Sequence, residues 1–388
     1  MSIIKIVKRV ITVCYLNFLK VFVKPKNQVL FNSFHGKQYS DNPRAISEKL
    51  HSLFPEIQIA WFIEKGYKLD LPEYVRPVER LGRFTLAKEI LGSFCYVTNY
   101  YLGKDIRKNN NQLFIQTWHG DIGLKKVLYE AWDDGKRPEP VYDEFLTDYC
   151  IAGSKQGEIQ YRNAFHYKGR ILKVGSPRND ILLNKDQNIN IAIRDKYNIP
   201  YSAKILLFAP TFRDNSNGKQ EVLINLNKVL SILNSKDHAC KWVCLVRAHI
   251  ASSGLDFADN DSIIDVTGYK DMADLLSIAD MLITDYSSCA GDFLLTKRPT
   301  ILAFFDQKEY LESCRSFQFD PYEAGFFIAE TQDALEEIIQ NLNDDMVKQN
   351  CEQLIKRFEI VTDGCASKRV AELIHRHYEL LFSKNLIS

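Results

Sequence analysis

An α/β fold made of two consecutive Rossmann-like units is what this sequence predicts, on three observations. Short apolar runs alternate with helical periodicity from Gln28 onward, the pattern of a parallel sheet covered by helices. The chain's 388 residues exceed one compact core at ~100 to 200 residues per domain. A polar stretch from Asn184 to Pro200 splits the alternation into two sets and reads as the interdomain connection.

Residues 1–26 precede the first set. Apolar side chains from Ile3 to Val23 are interleaved with Lys5, Lys8, Arg9, Lys20, Lys24 and Lys26, and no acid occurs among them. The apolar run between Arg9 and Lys20 is about half of the roughly 20 residues that span a bilayer, and no small-residue cleavage site follows. An amphipathic helix lying on a membrane surface is expected, the alternative being a helix packed on the protein's own body.

The first set runs through Val29 to Phe31, Arg44 to Leu53, Ile57 to Ile63, a helix at Leu86 to Leu91, Phe94 to Thr98, Leu113 to Thr117, Tyr149 to Ala152 and Ile171 to Val174. The second comprises Ile205 to Ala209, a helix near Val222 to Leu233, Trp242 to Val246, Ile263 to Val266, Met281 to Thr284 and Thr300 to Phe304. Helical segments Asp333 to Leu342, Asp345 to Phe358 and Ala366 to Leu381 close the chain; His375 and His377 read as part of a solvated face. The expected divisions are 1–26, 27–190, 191–360 and 361–388.

Composition removes several function classes. A net charge of +1 gives no support for a nucleic-acid partner. Nine scattered cysteines suggest a reducing compartment, and the close pair Cys240 and Cys244 lacks the partners of a zinc site. Neither a Walker sequence nor a Gly-x-Gly-x-x-Gly fingerprint occurs, which argues against an NTPase or a dinucleotide enzyme.

In parallel sheets ligands bind beyond the carboxyl ends of the strands. Residues there form a set: Gln116-Thr117-Trp118-His119-Gly120, Gly175-Ser176-Pro177-Arg178-Asn179-Asp180, Ala209-Pro210-Thr211-Phe212-Arg213, Arg247-Ala248-His249, and Thr284-Asp285-Tyr286-Ser287-Ser288. The last reads as a strand, a hydroxyl-rich turn and a helix start, a seat for phosphate. Each residue has an ordinary structural explanation as a cap, a core histidine or a solvated side chain. Together they supply the cations, hydroxyls and amides that hold a diphosphate.

With Leu124-Lys125-Lys126, Tyr269-Lys270-Asp271 and Asp292-Phe293 in the same order, this constellation resembles the CDP-glycerol glycerophosphotransferase family, the teichoic acid primases and polymerases. The likeness runs from about Thr117 to about Phe293; Val29 to Thr98 matches only as a generic half-domain. It implies a GT-B fold, with an acceptor domain at 27–190 and a CDP-alditol domain at 191–360 facing a central cleft. It also implies peripheral association with the cytoplasmic membrane face, and transfer of glycerol or ribitol phosphate from a CDP-alditol to a lipid-linked glycan or polyol-phosphate acceptor. The donor site carried over comprises Trp118, His119, Gly120, Arg178, Pro210, Thr211, Arg247, His249, Ser287, Ser288 and Asp292. Where the family commonly has Thr-Pro after His-Gly, this chain has Asp121-Ile122-Gly123, adding a residue and a carboxylate beside the presumed base.

In the expected chemistry His119 takes the acceptor hydroxyl proton, its unperturbed pKa of ~6.5 suiting a neutral base, with Asp121 as its orienter. Arg247, His249, Ser287 and Ser288 offset charge on the diphosphate and the departing CMP. Arg178 and Thr211 orient phosphate oxygens, Asp292 accepts from an alditol hydroxyl or holds the turn, and cytosine lies near Val266-Thr267-Gly268-Tyr269. No metal cage is evident, and the one cofactor left open is a Mg²⁺ ion brought by the donor diphosphate. A nucleotide-sugar glycosyltransferase and a non-catalytic nucleotide-binding membrane scaffold are the competing readings.

Overall fold

A computed structural model describes residues 3–103, 106–131, 141–184, 186–211, 224–248, 261–313 and 316–382. Phe212, Arg213 and His249 lie outside the described residues.

After α1 (Ile3–Phe22), the first lobe is laid down by β1 (Lys26–Asn32), α2 (Asp41–Leu53), β2 (Gln58–Ile63), β3 (Val75–Glu79), α3 (Thr85–Leu91), β4 (Ser93–Thr98), β5 (Leu113–Gln116), α4 (Asp143–Leu146), β6 (Tyr149–Ala152), α5 (Lys155–Ala164) and β7 (Arg170–Lys173). Helices α6 (Asp180–Asn184) and α7 (Gln187–Lys196) lead to β8 (Lys204–Ala209), α8 (Leu226–Lys236), β9 (Trp242–Val246), β10 (Ile263–Asp265), α9 (Met272–Ile278), β11 (Met281–Thr284), α10 (Cys289–Phe293), β12 (Thr300–Ala303), α11 (Gln307–Ser313), α12 (Pro321–Ala324) and β13 (Phe327–Ala329). The chain finishes with α13 (Gln332–Asn341), α14 (Asp344–Arg357) and α15 (Ala366–Phe382).

The sheets run β3-β2-β1-β4-β5-β6-β7 and β10-β9-β8-β11-β12-β13, and every strand pair in them is parallel. Central strands are buried throughout, as in Ser93–Thr98 and Trp242–Val246, because helices cover both faces. Edge strands β3 and β13 give weak signals in the sequence: β3 contains Pro77 and buries only two of its five residues, and β13 is three residues long. The order reverses between β1 and β4 in one sheet and between β8 and β11 in the other. Beyond the carboxyl ends of those strand pairs a parallel sheet opens a crevice.

Two expectations about organisation change. The stretch 184–200 is not a linker. Asp186 caps α7 by accepting from the Asn188 amide, and Ile193 is buried with Leu182 and Ile199 in the second lobe's core, so a division at 190/191 would cut a packed helix. The last helix crosses back, placing Val370, Ala371 and Ile374 in the first lobe's core beside Val29, Trp61 and Phe94. His375, read as solvated, stacks on Phe54 at 3.9 Å.

The lobes are joined by a buried ionic crossing. Arg178, in the turn Pro177–Asn179, donates from Nη1 to Asp41 of α2 (3.1 Å) and from Nη2 and Nε to Oδ2 of Asp292 of α10 (2.8 and 3.2 Å). Asn179 donates to the other Asp292 oxygen at 2.6 Å. Asn42 accepts from the Arg178 amide (3.0 Å) and donates to the carbonyls of Thr117 and Trp118 (3.2 and 3.0 Å). Beside this, Arg44 reaches Asp271 and Asp274 of the second lobe at 3.2 and 2.7 Å.

Removing one member of a buried ionic cluster strands the others. Arg178→Ala is expected to cost ~3–5 kcal/mol in urea unfolding, and adding Asp292→Ala should recover part of that loss because the two sites are coupled.

Candidate functional site

The second lobe's crevice is a locked turn that leaves donors uncommitted. Asp285 accepts from the Thr211 amide through both oxygens (2.8 and 3.0 Å) and from the Tyr286 amide (2.6 Å), tying the ends of β8 and β11 together. Tyr286 is fully buried, stacking on Tyr310 at 3.7 Å and donating to Asp306 at 3.0 Å. That anchor fixes Ser287 and Ser288 at the cleft. Ser287 Oγ accepts from the Cys289 amide at 3.3 Å, whereas Ser288 makes no side-chain cap bond. The amides of Ser287 and Ser288 have no acceptor among the described residues. The helix that follows is a single turn of five residues, so the donors of the seat belong to the turn itself rather than to a long helix dipole.

Across from it, β5 ends in Thr117-Trp118-His119-Gly120. Trp118 takes a left-handed φ of 49° and packs edge-on to Phe165 at 4.8 Å. Gly120 abuts the serine turn: a Cβ there would lie 3.1 Å from Ser288 Oγ. His119 Nδ1 lies 2.7 Å from the carbonyl oxygen of Asn99. A carbonyl only accepts, so Nδ1 carries the proton and Nε2 keeps its lone pair. Burial of the ring among Phe34, Tyr100 and Trp118 lowers its pKa to about 4, the Asn99 carbonyl opposing and Arg178 reinforcing that shift. The imidazole is therefore neutral at physiological pH.

The expected site residues separate into two groups. Gly120, next to His119, meets Ser288, and Thr211, after Pro210, is tied through Asp285 to the turn that carries Ser287 and Ser288. Arg247, after β9, spends Nε and Nη2 on the carbonyls of Tyr269 and Lys270 (3.4 and 3.2 Å), and it lies within electrostatic reach of Cys289 in the next turn. Burial works against its charge, and the rest of its donor fork has no partner among the described residues. Trp118, only 7% exposed, supports the loop from behind.

Arg178, Asp292 and Asp121 do other work than expected. Burial opposes charge on the Arg178 guanidinium, and Asp292 and Asp41 outweigh it, so it stays a cation committed to those two carboxylates rather than to phosphate. Asp292 is spent on Arg178 and Asn179. Asp121 points away from His119: it accepts from the Gly153 amide at 2.7 Å and from the Ser154 hydroxyl at the start of α5. Gly157 leaves room for it, since a Cβ there would sit 2.1 Å from Asp121 Oδ1. The group that orients His119 is the Asn99 main chain. Near the expected cytosine position, Tyr269 donates to Asp274 at 2.9 Å and Thr267 Oγ1 accepts from the Ala248 amide at 3.1 Å.

Missing from the sequence reading were Asn99, Asn42 and the loop Ser33-Phe34-His35-Gly36. Asn99 and the loop follow β4 and β1 directly, so the strand-end rule reaches them once it is applied to every strand. Asn42 lies at the start of a helix, and no local pattern marks it.

The carboxylates nearest the serine turn are all engaged with protein donors, and among the described residues no group of three or more His, Cys, Asp or Glu is arranged to hold a metal ion.

The sequence matches the family described as CDP-Glycerol:Poly(glycerophosphate) glycerophosphotransferase over residues 14–376. It is 31% identical to the teichoic acid glycerol-phosphate transferase of Staphylococcus aureus, over 90% of this chain and 93% of that protein. It is 32% identical to the teichoic acid poly(glycerol phosphate) polymerase of Staphylococcus epidermidis over 91% of this chain, which spans about half (51%) of that polymerase. Its fold superposes on the wall teichoic acid polymerase TagF with a TM-score of 0.82 at 30% identity, covering 94% of this chain and 92% of that one. The chain belongs to the CDP-glycerol glycerophosphotransferase family and has its two-lobed GT-B-like fold. It is an enzyme of that class, which sets aside the glycosyltransferase and scaffold readings.

Because kcat/KM reports the free enzyme's essential groups, its acid limb should lie near the His119 value of about 4. Activity is retained above that pH, where Nε2 is unprotonated, and falls tenfold per unit below it. A limb near the unperturbed ~6.5 in a pH–rate profile would contradict the assignment.

Proposed function

We propose that this glycerophosphotransferase moves glycerol phosphate from CDP-glycerol to the hydroxyl end of a lipid-linked polyol-phosphate or glycan acceptor in teichoic acid synthesis, releasing CMP. The reading rests on one juxtaposition: His119, whose Nδ1 bond to Asn99 leaves Nε2 the unprotonated nitrogen, is followed directly by Gly120, which abuts Ser288 of the turn with uncommitted donors.

The acceptor hydroxyl oxygen attacks the β-phosphorus, which carries the glycerol, and its proton passes to His119 Nε2. The bond from that phosphorus to the bridging oxygen breaks, CMP leaves with the electron pair, and a phosphodiester remains. His119 then returns its proton to water. The Ser287 and Ser288 amides and the Ser288 hydroxyl hold diphosphate oxygens, and Arg247 offsets charge on the departing CMP; such chemistry depends mainly on position and electrostatics. His249 is assigned to the same charge, from its place after Arg247 in the sequence. A Mg²⁺ ion arriving with the donor would be held by its diphosphate oxygens and water. Glycerol is favoured over ribitol because the S. aureus transferase and S. epidermidis polymerase that share 31–32% of its residues carry glycerol phosphate in their names.

We place the enzyme peripherally at the cytoplasmic face of the membrane. No helix among the described residues is long and apolar enough to cross a membrane. Helix α1 instead has two apolar faces. Leu16 and Leu19 pack on Ala87 and Leu91 of α3, while Val7, Ile11, Tyr15, Phe18 and Phe22 remain 42–67% exposed at the spacing of one helical stripe. That stripe suits the interface of a bilayer, with the first lobe held next to its lipid-borne acceptor.

Purified protein given CDP-glycerol, CDP-ribitol or a UDP-sugar with a lipid-linked acceptor should release CMP from CDP-glycerol, and His119→Ala should slow that release ~10²–10⁴-fold. Release of UDP alone, or full turnover by the variant, would count against this reading. Ile11→Asp with Phe18→Asp should abolish co-sedimentation with anionic vesicles without lowering the thermal midpoint.

A further inference from the structure

The first lobe's own crevice, between β1 and β4, is built as carefully as the seat opposite it, and nothing above gives it a ligand. Three consecutive residues of the loop after β1 are left-handed: Phe34 (φ 46°), His35 (φ 59°) and Gly36 (φ 76°). For Phe and His this backbone is unfavourable, and such departures persist where the surroundings over-determine them, often at functional sites. Here the surroundings are Asn99, whose Oδ1 accepts from the Phe34 amide (2.9 Å) and whose Nδ2 donates to Ser33 Oγ (3.2 Å). Gly36 is wedged so that a Cβ would lie 2.7 Å from Phe62.

The result is to set the His35 ring against Tyr100 at 3.9 Å between centroids, one side covered and the rest open to solvent. Tyr100 also faces His119, at 6.0 Å and 14°, and Phe34 touches His119 at 5.1 Å. One tyrosine thus backs two imidazoles, and Asn99 positions both: its side chain sets the His35 loop and its carbonyl orients His119. The nitrogens of His35 make no hydrogen bond among the described residues.

We propose that His35 is a specificity residue for the acceptor, hydrogen-bonding the secondary hydroxyl next to the one that attacks, with Tyr100 as the floor of that subsite. The proposal rests on the transfer reading above. A terminal glyceryl unit entering between the lobes presents two neighbouring hydroxyls, and two imidazoles sharing one aromatic floor match them. Burial, with Lys37 and Arg80 nearby and only Glu64 opposing among the strongest influences, lowers the proton affinity of His35. The neutral ring then has one donor and one acceptor, which suits a hydroxyl better than a phosphate, which only accepts.

The test is CMP release from CDP-glycerol with a synthetic glycerol-phosphate trimer as acceptor, compared with the same trimer lacking the terminal secondary hydroxyl. Wild type should prefer the complete trimer about tenfold in kcat/KM, the worth of one well-made hydrogen bond. His35→Asn, which tolerates the left-handed backbone, should erase that preference while the KM for CDP-glycerol stays within about twofold. His35→Gly, which removes the strain, should do the same and serves if the first variant does not fold. A purely structural role would lower both acceptors equally, so a preference retained by either variant overturns the proposal. Wild type that releases no CMP with either trimer overturns the transfer reading, and the subsite with it.

Discussion

The guanidinium of Arg178, shared between Asp41 of one lobe and Asp292 of the other, is the constraint on which the cleft depends. Three charges are taken out of water at the junction, and desolvation of that size is tolerated only when each charge has its partner and its remaining hydrogen bonds. The side chains of Arg178 and Asp292 are only 6% exposed, and Asn179 and Asn42 complete their bonding. The cluster therefore contributes geometry more than net stability. Through Asn42 it holds the carbonyls before His119, and through Asp292 it holds the helix that follows Ser288.

That arrangement keeps the Arg178 charge paired within the protein. A cation facing the cleft beside His119 would bind phosphate, yet it would also compete for the acceptor oxygen that must attack the β-phosphorus. With Arg178 neutralised by two carboxylates, the donors in front are neutral amides and hydroxyls, with Arg247 to one side. Neutral donors fixed by a buried tyrosine need no reorganisation as charge moves from the β-phosphorus to CMP. Desolvation acts in the same direction on His119. It makes the imidazole a weak base in the free enzyme; in the proposed reaction the negative charge of a bound diphosphate would raise that proton affinity.

Asp121 illustrates how a departure from a family pattern can mislead. A carboxylate two residues after a presumed base looks like its partner, but on the folded chain it accepts from the Gly153 amide and from the hydroxyl of Ser154, the residue that caps α5. Asn99, distant in sequence, supplies the contact instead.

Strand and helix character, the doubled Rossmann pattern and the residues at strand ends were legible along the chain, because periodicity and apolar runs are local consequences of a strand or helix burying one or two faces. The hydroxyl turn at Ser287 and the loop at His119 could be read for the same reason: each directly follows such a run. Tertiary structure alone decided which of those groups stay uncommitted. Arg178 and Arg247 look alike in sequence, and only the approach of Asp41 and Asp292, 137 and 114 residues away from Arg178, withdraws one of them from ligand binding. Partnership, burial and the proton affinity that follows from them are properties of neighbours in space, and a linear pattern carries no record of them.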